Sequence, residues 1–200
     1  MNVKNYDHVL QIQTGENQKG FLTSVHYHRY EPTPYAALEY LFTQYQITCS
    51  DRIVDFGCGK GRLNFYLHYF YGTTVIGIEM NERFFQEAMD NQLRYIKKPN
   101  VKNTNLYFYQ CLAEEYEIDP LDNKFYFFNP FSVQVFMKVV NNILRSMEQT
   151  KREMELILYY PSEDYIFYLE NYTSFELIKE IQLPGLYDEN SNERFLIYRL

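Results

Sequence analysis

Residues Arg52 to Phe56 (RIVDF) form a short apolar run that passes without a break into GCGKG, and Arg62 to Tyr71 then carries helical spacing until Gly72. A strand, a glycine-rich turn and a helix in immediate succession leave few folds open to a chain. In an open α/β sheet this unit sits at the carboxyl ends of the strands, where a nucleotide-like ligand binds. The rest of the chain keeps the same rhythm of short apolar runs and longer amphipathic stretches, as expected of a sheet with helices on its faces.

The second strand is expected at Thr74 to Glu79 (TVIGIE), followed by a helix over about Glu82 to Tyr95, capped by Asn81 and stopped before Pro99. Further strands are expected at Leu106 to Cys111, Lys124 to Phe128 and Leu156 to Tyr160. Val133 to Met147 and Glu163 to Asn171 read as helices, and Phe175 to Leu183 and Arg194 to Tyr198 as the last two strands. Only a loop joins these last two, so they should pair antiparallel, since a parallel crossover needs about a dozen residues. The sum is seven strands, mostly parallel, with the last reversed. At 200 residues one domain is expected. Residues 51–200 would form its sheet. Residues 1–50, with one helical segment at Pro34 to Tyr45, would be an extension packed on the same domain as a lid.

The spacing of the glycines discriminates between ligands. A dinucleotide site wants G-x-G-x-x-G or A, which requires a small residue at position 62, where this chain has Arg62 with Gly61 before it. The order G-x-G-x-G after Asp55 favours S-adenosylmethionine (SAM) over NAD. Gly57 and Gly59 allow close backbone approach, and Gly61 lets the helix start against the sheet. Glu79 ends the second strand about 20 residues past the loop, the distance at which an acid hydrogen-bonds a ribose.

DFGCGKGR followed by VIGIE resembles motif I and the acidic motif of class I SAM-dependent methyltransferases, over Asp51 to Leu200. The resemblance implies an α/β, Rossmann-like, seven-stranded sheet with helices on both faces. It also implies that Asp55, Gly57, Cys58, Gly59 and Gly61 line the methionine and ribose side, with Glu79 on the ribose. The family often has an Asp after the third strand for adenine; here the sequence is QCLAEE, with Leu112 at that place. Adenine contacts are then expected from backbone near Leu112 and Ala113 and from Met80, or from Glu114 in a shifted register.

Asn129, Pro130 and Phe131 follow the fourth strand and resemble the N/D-P-P-Y/F motif of amino-group methyltransferases, without the second proline. In that motif the Asn oxygen and a backbone carbonyl accept hydrogen bonds from an amine, and the aromatic ring stacks on a base or faces developing positive charge. A plain strand stop at Pro130 is the simpler alternative. Upstream, RYEPTPY (Arg29 to Tyr35) resembles an entry segment of some relatives, lysine methyltransferases among them, in which Tyr30 and Thr33 would close over the cofactor. It also reads as a helix start with Thr33 as cap and Pro34 in the first turn. Tyr30, Tyr35 and His26 are candidate bases for a charged amine. His26 and His28 alternate, but nothing completes a metal site around them.

Acidic residues exceed basic ones by 26 to 19, for a net charge of −7, so there is no strong electrostatic case for nucleic acid. The basic cluster Arg94, Lys97, Lys98 and Lys102 reads as a solvated helix end. Three cysteines without a C-x-x-C pair suggest neither disulfides nor zinc, and the absence of a signal-like or membrane-spanning stretch suggests a cytoplasmic protein. The methyl acceptor is unidentified at this level; protein side chain, RNA base and small molecule all remain open. Two other readings compete, a non-catalytic SAM-binding sensor or scaffold and a dinucleotide-dependent oxidoreductase.

Overall fold

The computed structural model describes residues 5–15, 28–99, 101 and 105–200; His26 and Lys102 lie outside them. The elements, in chain order, are α1 (Tyr6–Leu10), α2 (Tyr35–Gln44), β1 (Arg52–Phe56), α3 (Arg62–Tyr71), β2 (Thr74–Glu79) and α4 (Glu82–Tyr95). They continue with β3 (Leu106–Gln110), a 3-10 turn (Ala113–Glu115), β4 (Lys124–Phe127), α5 (Val133–Gln149), β5 (Glu155–Tyr159), α6 (Glu163–Tyr172), β6 (Glu176–Gln182) and β7 (Arg194–Arg199). The seven strands form one sheet in the order β3-β2-β1-β4-β5-β7-β6, parallel except for β7, which runs antiparallel to both its neighbours. The expected fold class stands, and the reversed strand is inserted between β5 and β6.

Alternation along the strands divides the core in two. Ile53, Val75, Leu106, Tyr126, Ile157 and Ile197 face one side, where they pack with Leu10, Leu38, Leu41, Leu63 and Phe65. Val54, Phe56, Ile76, Phe125, Leu156 and Tyr198 face the other, against Phe136, Val140, Tyr165 and Leu169 of α5 and α6. Each central strand therefore turns apolar residues to both faces, the pattern of a parallel sheet covered on both sides, with charged residues confined to positions near the strand ends.

Local signals set the helix starts. Asn81 caps α4 by accepting from the N–H groups of Arg83 and Phe84, and Ser162 caps α6 through Tyr165. The expected Thr33 cap does not form: the residue ahead of α2 is Pro34, and the Thr33 hydroxyl is bonded instead to the buried Tyr126 hydroxyl at 2.8 Å. The five-residue α1 escapes a periodicity argument because it is little more than one turn, held by Asn5 at its start.

At the amino ends of β4 and β5 a polar cluster is buried. Lys124 bonds Glu155 and the Tyr45 hydroxyl (2.9 Å), and Arg199 places Nε 3.0 Å from Glu155. Burial pushes the Glu155 carboxyl upward, but the bonds from Lys124, Tyr45 and Arg199 outweigh it and hold it below the usual carboxylate range. Its contribution to stability is thus complete above the unfolded value of about 4.3 and is lost as pH falls through the lower folded value. Glu155→Ala should destabilise the protein by about 3–5 kcal/mol, the cost of leaving a buried cation unpaired, as a lowered urea midpoint at pH 7.

Candidate functional site

The register of the sheet decides which turns meet. Phe56, the last residue of β1, pairs with Ile78 of β2 on one side and Phe127 of β4 on the other. The turns after β1 and β4 therefore leave the sheet side by side, where the strand order reverses and a crevice forms beyond the carboxyl ends. A cavity of about 120 Å³ lies there. Its walls come from Asp55, Gly57 and Cys58 after β1, from Ile78 to Asn81 at β2, from Cys111 and Ala113 after β3, and from Phe128, Pro130 and Phe131 after β4. Residues 28–33, with Arg62 and Phe84, close it from above the sheet edge.

Two glycines make this packing possible. Gly57, at φ +79°, lies so close to the turn after β4 that a Cβ would stand 2.6 Å from the Pro130 Cβ. At Gly59, φ +54°, a Cβ would fall 2.1 Å from the Tyr30 ring, which lies across the loop and is flanked by Phe84 at 4.9 Å between centroids. Ligand pockets commonly exceed about 300 Å³, and the Tyr30 ring occupies part of the difference. Gly61, also left-handed, caps α3 and stands outside the cavity wall, as does Gly59.

Glu79 and Asp55 are both buried at the same cavity. The Glu79 carboxylate accepts the Gly59 N–H at 2.9 Å and the Asn81 N–H at 2.7 Å. Burial raises its pKa, and these backbone donors oppose the rise. Asp55 is pushed well above the carboxylate range, first by burial and then by the charge of Glu79. Two desolvated acids on one cavity are costly alone and are relieved by a cationic ligand whose hydroxyls can donate to Glu79.

The turn after β4 is held from three sides. The His28 N–H donates to the Pro130 carbonyl at 3.0 Å, and His28 Nδ1 lies 2.6 Å from the Asn129 carbonyl. The Tyr165 hydroxyl donates to the Phe131 carbonyl from the α6 side. Asn129 takes φ +39°, which its side chain tolerates better than most. Its side-chain oxygen is buried without a hydrogen-bond partner among the described residues, and Asn129 itself lies behind the cavity wall that Phe128, Pro130 and Phe131 form. Phe131 reaches the cavity wall but is 1% exposed, packed edge-on against Phe127. Phe128, one residue before the sequence motif, is half-buried and more available.

The remaining expectations distribute as follows. Tyr30, Thr33 and Met80 border the cavity; Leu112 does not, although Cys111 and Ala113 on either side of it do. Glu114 turns toward α5, its carboxylate 3.4 Å from Lys138. Tyr30 and Tyr35 cannot serve as bases: burial pushes both phenols far up, and their hydroxyls donate to the Thr14 carbonyl and to Asp7. Sequence reasoning passed over Phe84 and Phe128, weighed His28 only as a metal ligand, and used Arg62 only to argue against NAD. Arg62 binds the Thr14 hydroxyl (2.8 Å) and the Thr33 carbonyl (3.3 Å) and stacks on Tyr35 at 4.6 Å. Among the described residues no group of three or more His, Cys, Asp or Glu could hold a metal ion, and no helix is long and apolar enough to cross a membrane.

Residues 35–119 match a family described as a methyltransferase domain. No curated protein matches the chain in sequence. Among solved structures, the human methyltransferase 10 domain containing protein aligns with TM-score 0.58 at 12% identity, over 97% of this chain and 91% of that one. An RNA methyltransferase from Salinibacter ruber, in complex with S-adenosylhomocysteine, aligns with TM-score 0.55 at 18% identity, over 84% and 92% of the two chains. A SAM-dependent methyltransferase from Thiobacillus denitrificans, also with S-adenosylhomocysteine, aligns with TM-score 0.54 at 12% identity, over 84% and 91%. At these identities the likeness is one of fold.

Because the folded state raises the Asp55 pKa, it holds a proton that the unfolded chain releases, and stability of the ligand-free protein falls as pH rises through that window. Asp55→Asn should therefore raise the thermal midpoint of the ligand-free protein at pH 7, by about 2–4 °C per kcal/mol gained, and flatten its pH dependence. The same variant should weaken SAM binding about ten-fold or more, measured by calorimetry. A lowered midpoint would show that Asp55 is stabilising in the free protein.

Proposed function

We propose that this chain is a SAM-dependent methyltransferase that delivers the methyl group to a nitrogen atom, and the side-chain oxygen of Asn129 is the observation that carries the proposal. A buried acceptor without a partner costs about 1–3 kcal/mol and is relieved by a ligand that donates. Asn cannot take a proton, so it suits a nucleophile that reacts as a neutral amine better than a hydroxyl that must first be ionised. An amine can give an N–H to Asn129 and keep its lone pair for attack.

The residues present fit the cofactor. Asp55 and Glu79 offer hydrogen-bond acceptors at the cavity, and Arg62 and Arg29, which also line it, offer positive charge to a carboxylate. SAM supplies a methyl group already activated on a sulfonium, so the protein need only align the acceptor and exclude water. His28 and Tyr165 hold the three carbonyls of the Asn129 turn, and Pro130 locks that turn against Gly57. This rigidity sets the acceptor's approach.

In titrations, SAM and S-adenosylhomocysteine should bind and NADH should not, with binding lost in Glu79→Ala. Asn129→Ala should keep the SAM dissociation constant within about two-fold while methyl transfer falls about 10²-fold or more, the scale of one lost positioning donor or acceptor. Unchanged transfer in Asn129→Ala would remove the nitrogen assignment. Tight SAM binding with no product from protein, RNA or small-molecule pools would instead favour a sensor.

A further inference from the structure

A second and larger cleft, about 640 Å³, adjoins the cofactor cavity and shares Glu31, Pro32, Arg62 and Phe128 with it. Its aromatic part comes from the ends of β4 and β5. The rings of Phe128, Tyr159 and Tyr160 stand with centroids 4.6, 6.4 and 6.3 Å apart, a triangle in mutual contact in which buried Tyr159 backs the half-buried Phe128 and Tyr160, whose faces are the available ones. Tyr160 takes φ +51°, a left-handed turn just past β5, and its hydroxyl is anchored by Asn190 at 2.7 Å.

The charge around these rings is negative. Glu193 accepts from the Tyr159 hydroxyl at 2.6 Å, and exposed Glu31 lines both cavities. The charges of Glu193 and Glu31 both act on the Tyr159 phenol and help to push it up, after its burial and its bond to Glu193, so the two acids face the same ring. Asp7 also lines the cleft, but its carboxylate is taken by Thr14 and Tyr35. Arg62 is the opposing charge on that lining, tied to Thr14 and Thr33. Aromatic faces with carboxylates at their rim attract a desolvated cation and repel phosphate.

We infer that this cleft is the acceptor site and that it takes an alkylammonium group, carried on a lysine side chain or on a free amine, past Phe128 toward Asn129. The inference rests on the methyltransferase reading and adds the class of acceptor. An ammonium must lose a proton before attack. A carbonyl only accepts, so His28 Nδ1 carries the hydrogen toward Asn129, which leaves Nε2 as the ring nitrogen open to a proton, on a residue that lines the cofactor cavity. His28 Nε2 takes the ammonium proton and the amine lone pair forms the new N–C bond. The S–C bond breaks with its electron pair retained on sulfur, giving S-adenosylhomocysteine and a methylated amine.

The test uses the whole chain with radiolabelled SAM and three probes: a lysine-containing peptide library, cadaverine, and a mixed-sequence RNA. Label in the peptides or in cadaverine supports the inference and tells the two sources apart; label in RNA alone overturns it while leaving nitrogen methylation standing. A turnover-free arm titrates the enzyme with a peptide bearing trimethyllysine. Glu31→Gln combined with Glu193→Gln should weaken that peptide about ten-fold, and Glu193→Gln alone, which leaves the cofactor cavity untouched, should weaken it while SAM affinity stays unchanged. His28→Gln should lower kcat on the amine probe about 10²-fold without moving the trimethyllysine affinity. Equal affinity of the double variant and the parent overturns the cleft assignment even where SAM binding and transfer survive.

Discussion

The contact between Gly57 and Pro130 leaves no room for a side chain, and the arrangement of the site depends on it. Through it the turn after β1, which carries the glycine loop, lies directly on the turn after β4, which carries Asn129. The sheet makes the contact unavoidable, because Phe56 and Phe127 are register partners and both chains must leave the same edge. A Cβ at Gly57 would push the two turns apart and would also strain a left-handed backbone. The relative positions of the glycine loop and the Asn129 turn are thus set by one van der Waals contact and two hydrogen-bonded turns.

The amino-terminal residues complete the site through a separate polar relay. Asp7 accepts from Thr14 and Tyr35, Thr14 accepts from Arg62 and Tyr30, and Arg62 reaches on to Thr33. Asn91 of α4 adds bonds to Gln13 and to the Lys60 carbonyl of the glycine loop. Buried apolar residues such as Leu10 and Ile12 support the relay from beneath. The segment that crosses the cavity at Tyr30 is consequently tied to the loop it covers.

Electrostatics divides the edge of the sheet by function. Asp55 and Glu79 are raised by burial, opposed at Glu79 by backbone N–H groups alone, whereas at the amino ends of the strands Glu155 is satisfied by Lys124, Tyr45 and Arg199 and supports the fold. The same residue type is thus a liability at one end of the strands and a fastening at the other. The difference lies in whether cationic partners are built in beside the carboxylate.

Much of this was legible in the residues themselves. The apolar runs at Arg52–Phe56, Thr74–Glu79 and Lys124–Phe127, the glycine loop, the Asn81 cap and the loop between the last two strands are local signals, and each determined its element and the sheet's overall sense. The place of Glu79 beside the glycine loop was readable because it follows from distance along the chain. What lay out of reach depends on residues far apart in sequence. Thr33 looked like a helix cap, but Tyr126, 93 positions away, offers a buried hydroxyl and takes it. Tyr30 and Tyr35 looked like bases until burial and their long-range acceptors fixed their protons. Phe131 looked like the working aromatic, whereas packing against Phe127 buries it and leaves Phe128 facing the second cleft. Short-range chemistry thus determined the strands, the helices and the class of cofactor site. Only the tertiary structure decided which acceptors, rings and charges meet at the sheet edge, because register and burial are properties of strands brought together, not of any one segment.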